Sequence, residues 1–300
     1  MSSSPPDVAF RALRDDDAES VARLMSEIES SVGCRGATSV AEVRDWWSRT
    51  SLEGNSWVLE RDGELVAAGW LEEHAGAGEY AIQIRPDAWD DELAERLAER
   101  GETRTRELGY STVRAVALGA DERTRAVYEA RGYRVVRRFL VMTVEFGTRP
   151  PAPRVPDGIR IESFRTADAR EFQDAFGEAF VDEWGFKPSS FEEWWARRER
   201  DDKTFWFVAR SADGVVGVLR GEPERRGGGF VGGLGVRRAA RGQGTGEALL
   251  RHAFRAWYDA GRRRVSLGVD SENPTGATRL YERVGMHAEI EDVVYERELA

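Results

Sequence analysis

Cysteine is almost missing from this 300-residue chain. Cys34 stands alone, so no disulfide can close within the chain, and a cytoplasmic home is expected. Histidine is scarce as well: His74, His252 and His287 lie far apart and no metal-ligand spacing appears, so no bound metal is expected. Among the 44 basic residues only Lys187 and Lys203 are lysines, which reflects base composition rather than chemistry. No apolar run is long enough to span a bilayer, and MSSSPPDVAF lacks the basic and apolar regions of an export signal, so no membrane partner is expected. The formal charge of −10 argues against nucleic acid as a partner.

What is present suits globular cores: 41% hydrophobic residues, including ten Trp. The charge is unevenly spread. Residues 1–150 hold 28 acids and 20 bases, whereas residues 151–300 hold 26 and 24, so the second half is better placed to receive an anion. Four of the ten prolines fall in GTRPPAPRVPDG (147–158), a stiff, extended stretch near the midpoint.

A midpoint linker suggests duplication, and a repeat is there. DWWSRTSLEGNSWVLERDGELVAAGW (45–70) matches EWWARRERDDKTFWFVARSADGVVGVL (193–219), and VYEARG matches LYERVG further on. Each copy reads as a short strand (VAFRALR; GIRIESF), helices of which the second carries paired Trp, a hairpin, a further strand, a long amphipathic helix, a strand, a short helix with a Tyr, and a last strand. Hairpins early and a crossover helix late predict an α/β domain with a mixed sheet. Trp194 and Trp195, which recur as Trp46 and Trp47, are expected in the core.

Between the strand GGFVGGLGV and the helix EALLRHAFRAW lies RRAARGQGTG. A helix start carries unpaired N–H groups and a positive dipole end, and glycines let a ligand approach the backbone. With Arg237, Arg238 and Arg241 nearby, the turn predicts a phosphate or pyrophosphate site. A Walker A loop needs Gly-Lys-Ser/Thr, which is missing, and a dinucleotide fingerprint needs GxGxxG, whereas this is GxGxG. A merely structural turn is the remaining reading.

The turn resembles the acyl-CoA signature of the GCN5-related N-acetyltransferase (GNAT) family, Arg/Gln-x-x-Gly-x-Gly/Ala, through Arg241, Gly244 and Gly246. NPTGATRLYERVGM (273–286) resembles a second motif of that family, with Met286 where an aromatic is commoner. The two-domain layout is similar to mycothiol synthase and related tandem acetyltransferases. The resemblance implies two tandem GNAT-like domains, each a mixed, mostly antiparallel twisted sheet flanked by helices. It places a degenerate domain at 1–147, a Pro-rich linker at 148–158 and a catalytic domain at 159–300. It implies direct transfer of an acetyl group from acetyl-CoA to a primary amine of a small molecule, in a monomer with two pseudo-symmetric domains. Alternatives are a non-catalytic acyl-CoA-binding module or mycothiol synthase.

By the same resemblance, Leu234, Gly235 and Val236 would offer backbone groups to pantetheine. The amides of Arg241, Gly242, Gln243, Gly244, Thr245 and Gly246 would hold the pyrophosphate. Asn273 would contact cofactor, or cap a helix before Pro274. Tyr281 would protonate the leaving thiolate. The family's strand carboxylate has no counterpart in GGFVGGLGV, which leaves Glu222, Asp182 and Glu183 as candidate bases, or a water chain, or an amine that binds already neutral. FVDEWGF suggests an acidic, aromatic rim for a cationic acceptor, with Trp184 and Phe186 alternatively in the core. In the first copy the turn reads IRPDAWDDELAERL. There Asp87, Asp90 and Asp91 would repel a pyrophosphate, Tyr128 aligns with Tyr281, and Ala120 falls where the Asn should be.

Overall fold

A computed structural model of the chain describes residues 10–35, 38–273 and 275–299. It divides into two compact units, Met1–Leu140 with Glu289–Ala300, and Val141–Ala288. The first unit contains α1 (Ala18–Ser31), α2 (Val40–Trp47), α3 (Leu52–Asn55), β1 (Ser56–Arg61), β2 (Glu64–His74), β3 (Ala77–Ile84), α4 (Asp91–Glu107), β4 (Thr112–Leu118) and α5 (Glu122–Ala130). β5 (Arg134–Glu145) begins in this unit and ends in the second. The second unit contains β6 (Arg160–Ser163), α6 (Ala169–Phe180), α7 (Phe191–Arg198), β7 (Phe207–Ser211), β8 (Gly214–Arg225), β9 (Gly228–Val236), α8 (Thr245–Asp259), β10 (Arg264–Asp270) and α9 (Ala277–Arg283). The last strand, β11 (His287–Glu298), lies almost wholly in the first unit.

Both units share one plan, as the repeat predicts. In the first the strand order is β1-β2-β3-β4-β11, antiparallel except for the β3–β4 pair. In the second it is β6-β7-β8-β9-β10, antiparallel except for the β9–β10 pair. The parallel pair needs a crossover, and α4 or α8 supplies it. Each crossover helix buries one stripe. On α4 it is Leu93, Ala94, Leu97, Ala98 and Gly101; on α8 it is Ala248, Leu249, Ala253, Phe254 and Trp257. The hairpin β1–β2 turns at Asp62 and Gly63, both at positive φ, as a two-residue hairpin turn requires.

Three expectations need correcting. The strand expected at VAFRALR is reduced to one bridge, Arg11 to Val58; Val8 and Ala9 lie outside the described residues. The Pro-rich stretch is not where the units part. It belongs to the second unit, where Arg255 donates to the Pro150 carbonyl and Arg149 pairs with Asp259. The last strand, expected to complete the C-terminal domain, instead pairs antiparallel with β4 from Asp292↔Leu118 to Glu298↔Thr112. Val293 and Tyr295 on it are fully buried in the first unit's core beside Tyr128 and Tyr133. That core, and not chain order, is where these apolar side chains lose water contact.

Trp47 is core in the first unit, while Trp194 and Trp195 are only partly buried, packed against Phe172, Trp206 and Val218 in the second. Among the described residues no helix is long and apolar enough to cross a membrane, and no cluster of His, Cys, Asp and Glu could hold a metal.

Candidate active site

The site is built from the end of β9 outward. β9 and β10 pair in parallel at Val265↔Gly229, Ser266↔Phe230 and Leu267↔Val231, and there the ladder stops. On its other side β9 stays paired with β8 through Val236↔Gly217. The stop coincides with a bulge: Gly233 faces Arg220 and Val231 faces Gly221, leaving Gly232 extra. A bulge bends its strand, and beyond this one the β9–β10 ladder does not continue. The Arg220 guanidinium locks the bulge by donating to the Gly232 carbonyl at 2.6 Å. Leu234, Gly235 and Val236 follow, with backbone groups toward β10 left unpaired by the ladder. A Cβ on Gly235 would come within 2.8 Å of Ala179, so its absence lets α6 settle onto this stretch of β9.

The turn then leads into α8. Gly244 is the N-cap, in the left-handed region at φ +89, and no side chain caps the helix. The first hydrogen bond of α8 runs from Ala248 to the Gly244 carbonyl. The amides of Gly242 to Gly246 therefore have no partner among the described residues, as a helix mouth awaiting an anion requires. Beside them the Thr245 hydroxyl is buried and also lacks a partner. The glycine-lined mouth and the unpartnered hydroxyl fit a phosphate-bearing ligand held by main chain. Gly246 sits where β9 and α9 converge: a Cβ there would lie 3.3 Å from Leu280, 3.5 Å from Val236 and 4.0 Å from Leu234.

The three arginines do not serve as expected. Arg237 donates to Glu178 and to the Val215 carbonyl, Arg238 pairs with Asp182 at 2.5 Å, and Arg241 donates to the carbonyls of Val236 and Ala179. Their side chains tie the turn to α6 and the sheet; Glu178 and Asp182 offset the charges of Arg237 and Arg238, while Arg241 meets only carbonyl oxygens. Glu178 was not singled out in the sequence. It also accepts from the Arg238 amide, and that bond with the Arg237 pair holds its carboxyl below the usual range. Its place near the end of α6, four residues before Asp182, was the available signal.

Of the candidate bases, Asp182 is occupied by Arg238, and Glu222 by Arg220 and Arg225. Glu222 also faces Phe230, where β9 and β10 are still paired. Glu183 alone is brought to the motif after β10. Asn273 donates from Nδ2 to its carboxylate at 3.1 Å. Asn273 does not cap α9, whose N-cap is Gly276. Its Oδ1 accepts from the Thr275 amide and hydroxyl, which fixes the amide's orientation. Pro274 lies outside the described residues. Burial raises the Glu183 pKa; the Asn273 bond opposes that and Asp270 adds to it.

Tyr281 lies on α9 next to Leu280, largely buried, and its hydroxyl has no hydrogen-bond partner among the described residues. Burial, then the charge of Glu183, pushes its pKa well up, so the phenol is protonated at neutral pH. Phe186 lies 6.4 Å from Phe180, which stacks on Phe176 at 4.1 Å, so this loop carries an aromatic wall on α6.

The first unit has each of these features closed. Asp90 caps α4 by accepting from the amides of Glu92 and Leu93. Asp91 accepts from Trp89 Nε1, and Asp87 pairs with Arg85. The β3–β4 ladder stops at Ala81↔Val116, and the Tyr128 hydroxyl sits just beyond, accepting from the Ile82 amide at 3.4 Å and donating to the Val116 carbonyl at 3.5 Å. Tyr128 is fully buried among Tyr80, Tyr133 and Tyr295. Asp121, next to Ala120, caps α5 instead of reaching a ligand.

A model of the Acetyltransferase (GNAT) family matches residues 20–133 and again 167–286. A mycothiol acetyltransferase of Actinosynnema mirum is 28% identical over 95% of this chain and 97% of its own length. One from Catenulispora acidiphila is 28% identical over 78% and 77%. A crystal structure of a GCN5-related N-acetyltransferase from Sphaerobacter thermophilus superposes with a TM-score of 0.85, at 30% identity, covering 99% of this chain and 97% of that one. A tandem GNAT protein from the clavulanic acid biosynthesis pathway superposes with a TM-score of 0.73 at 14% identity, covering 97% and 98%, which shows the shared fold.

Proposed function

Because the chain belongs to the Acetyltransferase (GNAT) family and is an N-acetyltransferase, we propose that it moves the acetyl group of acetyl-CoA directly onto a primary amine of a small molecule, using the second unit. The observation that carries this is the contrast between two copies of one plan. Only in the second do an uncapped glycine mouth, an opened strand pair and an unpartnered Tyr hydroxyl coincide. Pantetheine would pair with the backbone of Leu234 to Val236, and the pyrophosphate would rest on the amides of Gly242 to Gly246. An amide near Val236 would stabilise the charge that develops on the carbonyl oxygen. Tyr281 would donate its proton to the departing sulfur. In this reading the first unit does no chemistry and has a structural or substrate-shaping part.

Isothermal titration of acetyl-CoA into the protein tests this reading, together with CoA release in the presence of an amine panel. One site that saturates, and turnover with at least one amine, are expected. Binding without release by any amine would leave only the fold in common with the family. A narrower reading is favoured by the curated relatives named mycothiol acetyltransferase, which match most of the chain. It gives the acceptor as the cysteinyl amine of a glycoside, and that amine belongs in the panel.

A further inference from the structure

We propose that Glu183, on the loop after α6, is the carboxylate that takes the proton from the acceptor amine, replacing the acid that β9 lacks. The inference rests on the acetyl-transfer reading of the same site.

The argument begins with placement. α6 packs over Gly235 on the opened end of β9, and Arg241 bonds to the Ala179 carbonyl at its last turn. The chain leaves α6 at Val181, so Asp182 and Glu183 emerge at the mouth of the opening. Two reverse-turn bonds, from the Glu183 amide to the Phe180 carbonyl and from the Phe186 amide to the Glu183 carbonyl, set the loop. Asp182 points to Arg238 on the turn side. Glu183 points the other way, to Asn273 beyond the end of β10.

Asn273 can hold it in only one sense. Its carbonyl oxygen is engaged by Thr275, so its NH₂ faces Glu183 and donates to one carboxylate oxygen. No cation pairs with Glu183 among the described residues, unlike Asp182 and Glu222. The groups facing it are Asn273 and Asp270 from the end of β10, and Tyr281 from α9; the two charged or ionisable ones are an acid and a phenol. A carboxylate without a cation, half-buried and clamped by a neutral amide, keeps its basicity; a salt-bridged one loses it.

The proton bookkeeping closes. Glu183 accepts one proton from the alkylammonium, directly or through one water. The freed nitrogen pair forms the N–C bond at the acetyl carbonyl. The C–S bond breaks, and its electron pair leaves on sulfur, which takes the Tyr281 proton. The amide nitrogen then sheds its second proton, which returns the phenol to its protonated state, and Glu183 releases the first to solvent. Acid and base come from different elements, Tyr281 from α9 and Glu183 from the loop after α6.

The test is Glu183→Gln, which preserves an oxygen for the Asn273 bond and so leaves the loop in place. Steady-state kinetics would use acetyl-CoA with glucosamine, tyramine, spermidine and S-blocked cysteine amide as acceptors, between pH 5.5 and 9. The variant should keep its melting temperature and acetyl-CoA affinity and lose about 10²-fold or more in kcat/KM. In the wild type kcat/KM should rise with pH through the raised Glu183 pKa, because only the ionised form accepts a proton, and that limb should vanish in the variant. Asn273→Ala should shift the limb upward, since the bond it removes favours the ionised form. Wild-type turnover with Glu183→Gln within twofold and an unchanged profile would overturn the assignment while leaving the acetyltransferase reading intact. A wild type that binds acetyl-CoA and acetylates none of the amines would overturn both.

Discussion

Glutamate at Gly244 is the sharpest perturbation the site offers, because two separable effects meet at one residue. Gly244 sits at φ +89, where an L-residue is strained by about 1–2 kcal/mol. Space is not limiting, since an added Cβ would meet only Pro156, at 3.9 Å. Gly244→Ala therefore isolates the backbone strain. Its melting temperature should fall by a few degrees and its acetyl-CoA affinity modestly. Gly244→Glu adds a negative charge beside the pyrophosphate. At about 4 Å and an effective dielectric near 20, each unit of like charge costs about 4 kcal/mol. The mouth is open to solvent, so about half of that survives, roughly 2 kcal/mol, or about 30-fold in Kd beyond the alanine variant. Calorimetric titration of acetyl-CoA into all three proteins at low salt, with melting curves alongside, measures both parts. Equal affinities for the Ala and Glu variants would mean no anion rests there. Unchanged affinity in both would refute the placement of the cofactor altogether.

Replacing Tyr281 with Phe should lower kcat about 10²-fold or more, with the acetyl-CoA Kd within twofold; equal loss of both would show that Tyr281 packs and does not donate. Asp90→Ala removes the cap of α4 and should cost about 1 kcal/mol in urea unfolding without touching turnover; a loss of activity at equal stability would give the first unit a catalytic part. Thr245→Val removes a buried hydroxyl that has no partner, so the ligand-free protein should gain about 1 kcal/mol in unfolding free energy, and a clear loss would reveal a partner for that hydroxyl.

The site was legible in the sequence to the extent that it is made of main chain. Glycines at 242, 244 and 246 report the backbone that an anion needs, and their replacement by Asp87, Asp90 and Asp91 reports its loss. Such features are local, because a helix mouth is built by four or five consecutive residues. Where side chains meet across elements, the sequence misled. Arg237, Arg238 and Arg241 read as ligand cations and are consumed by Glu178, Asp182 and backbone carbonyls. Asn273 read as a cofactor contact or a helix cap; it does not cap α9 and bonds to Glu183. Three acids were equivalent candidates until folding gave two of them arginine partners.

The sequence by itself determined that one plan occurs twice and that one copy keeps an open helix mouth, because repeat spacing, apolar periodicity and glycine are properties of neighbouring residues. Only the tertiary structure decided that β11 completes the first unit's sheet and not the second's. Alternating Val and Tyr say that a strand has a face to bury, and nothing about which sheet edge receives it. Tertiary structure likewise decided that Tyr128 and Tyr281, alike in sequence, end in different surroundings. One hydroxyl reaches across a strand gap and is buried there, while the other is left without a partner beside an open one.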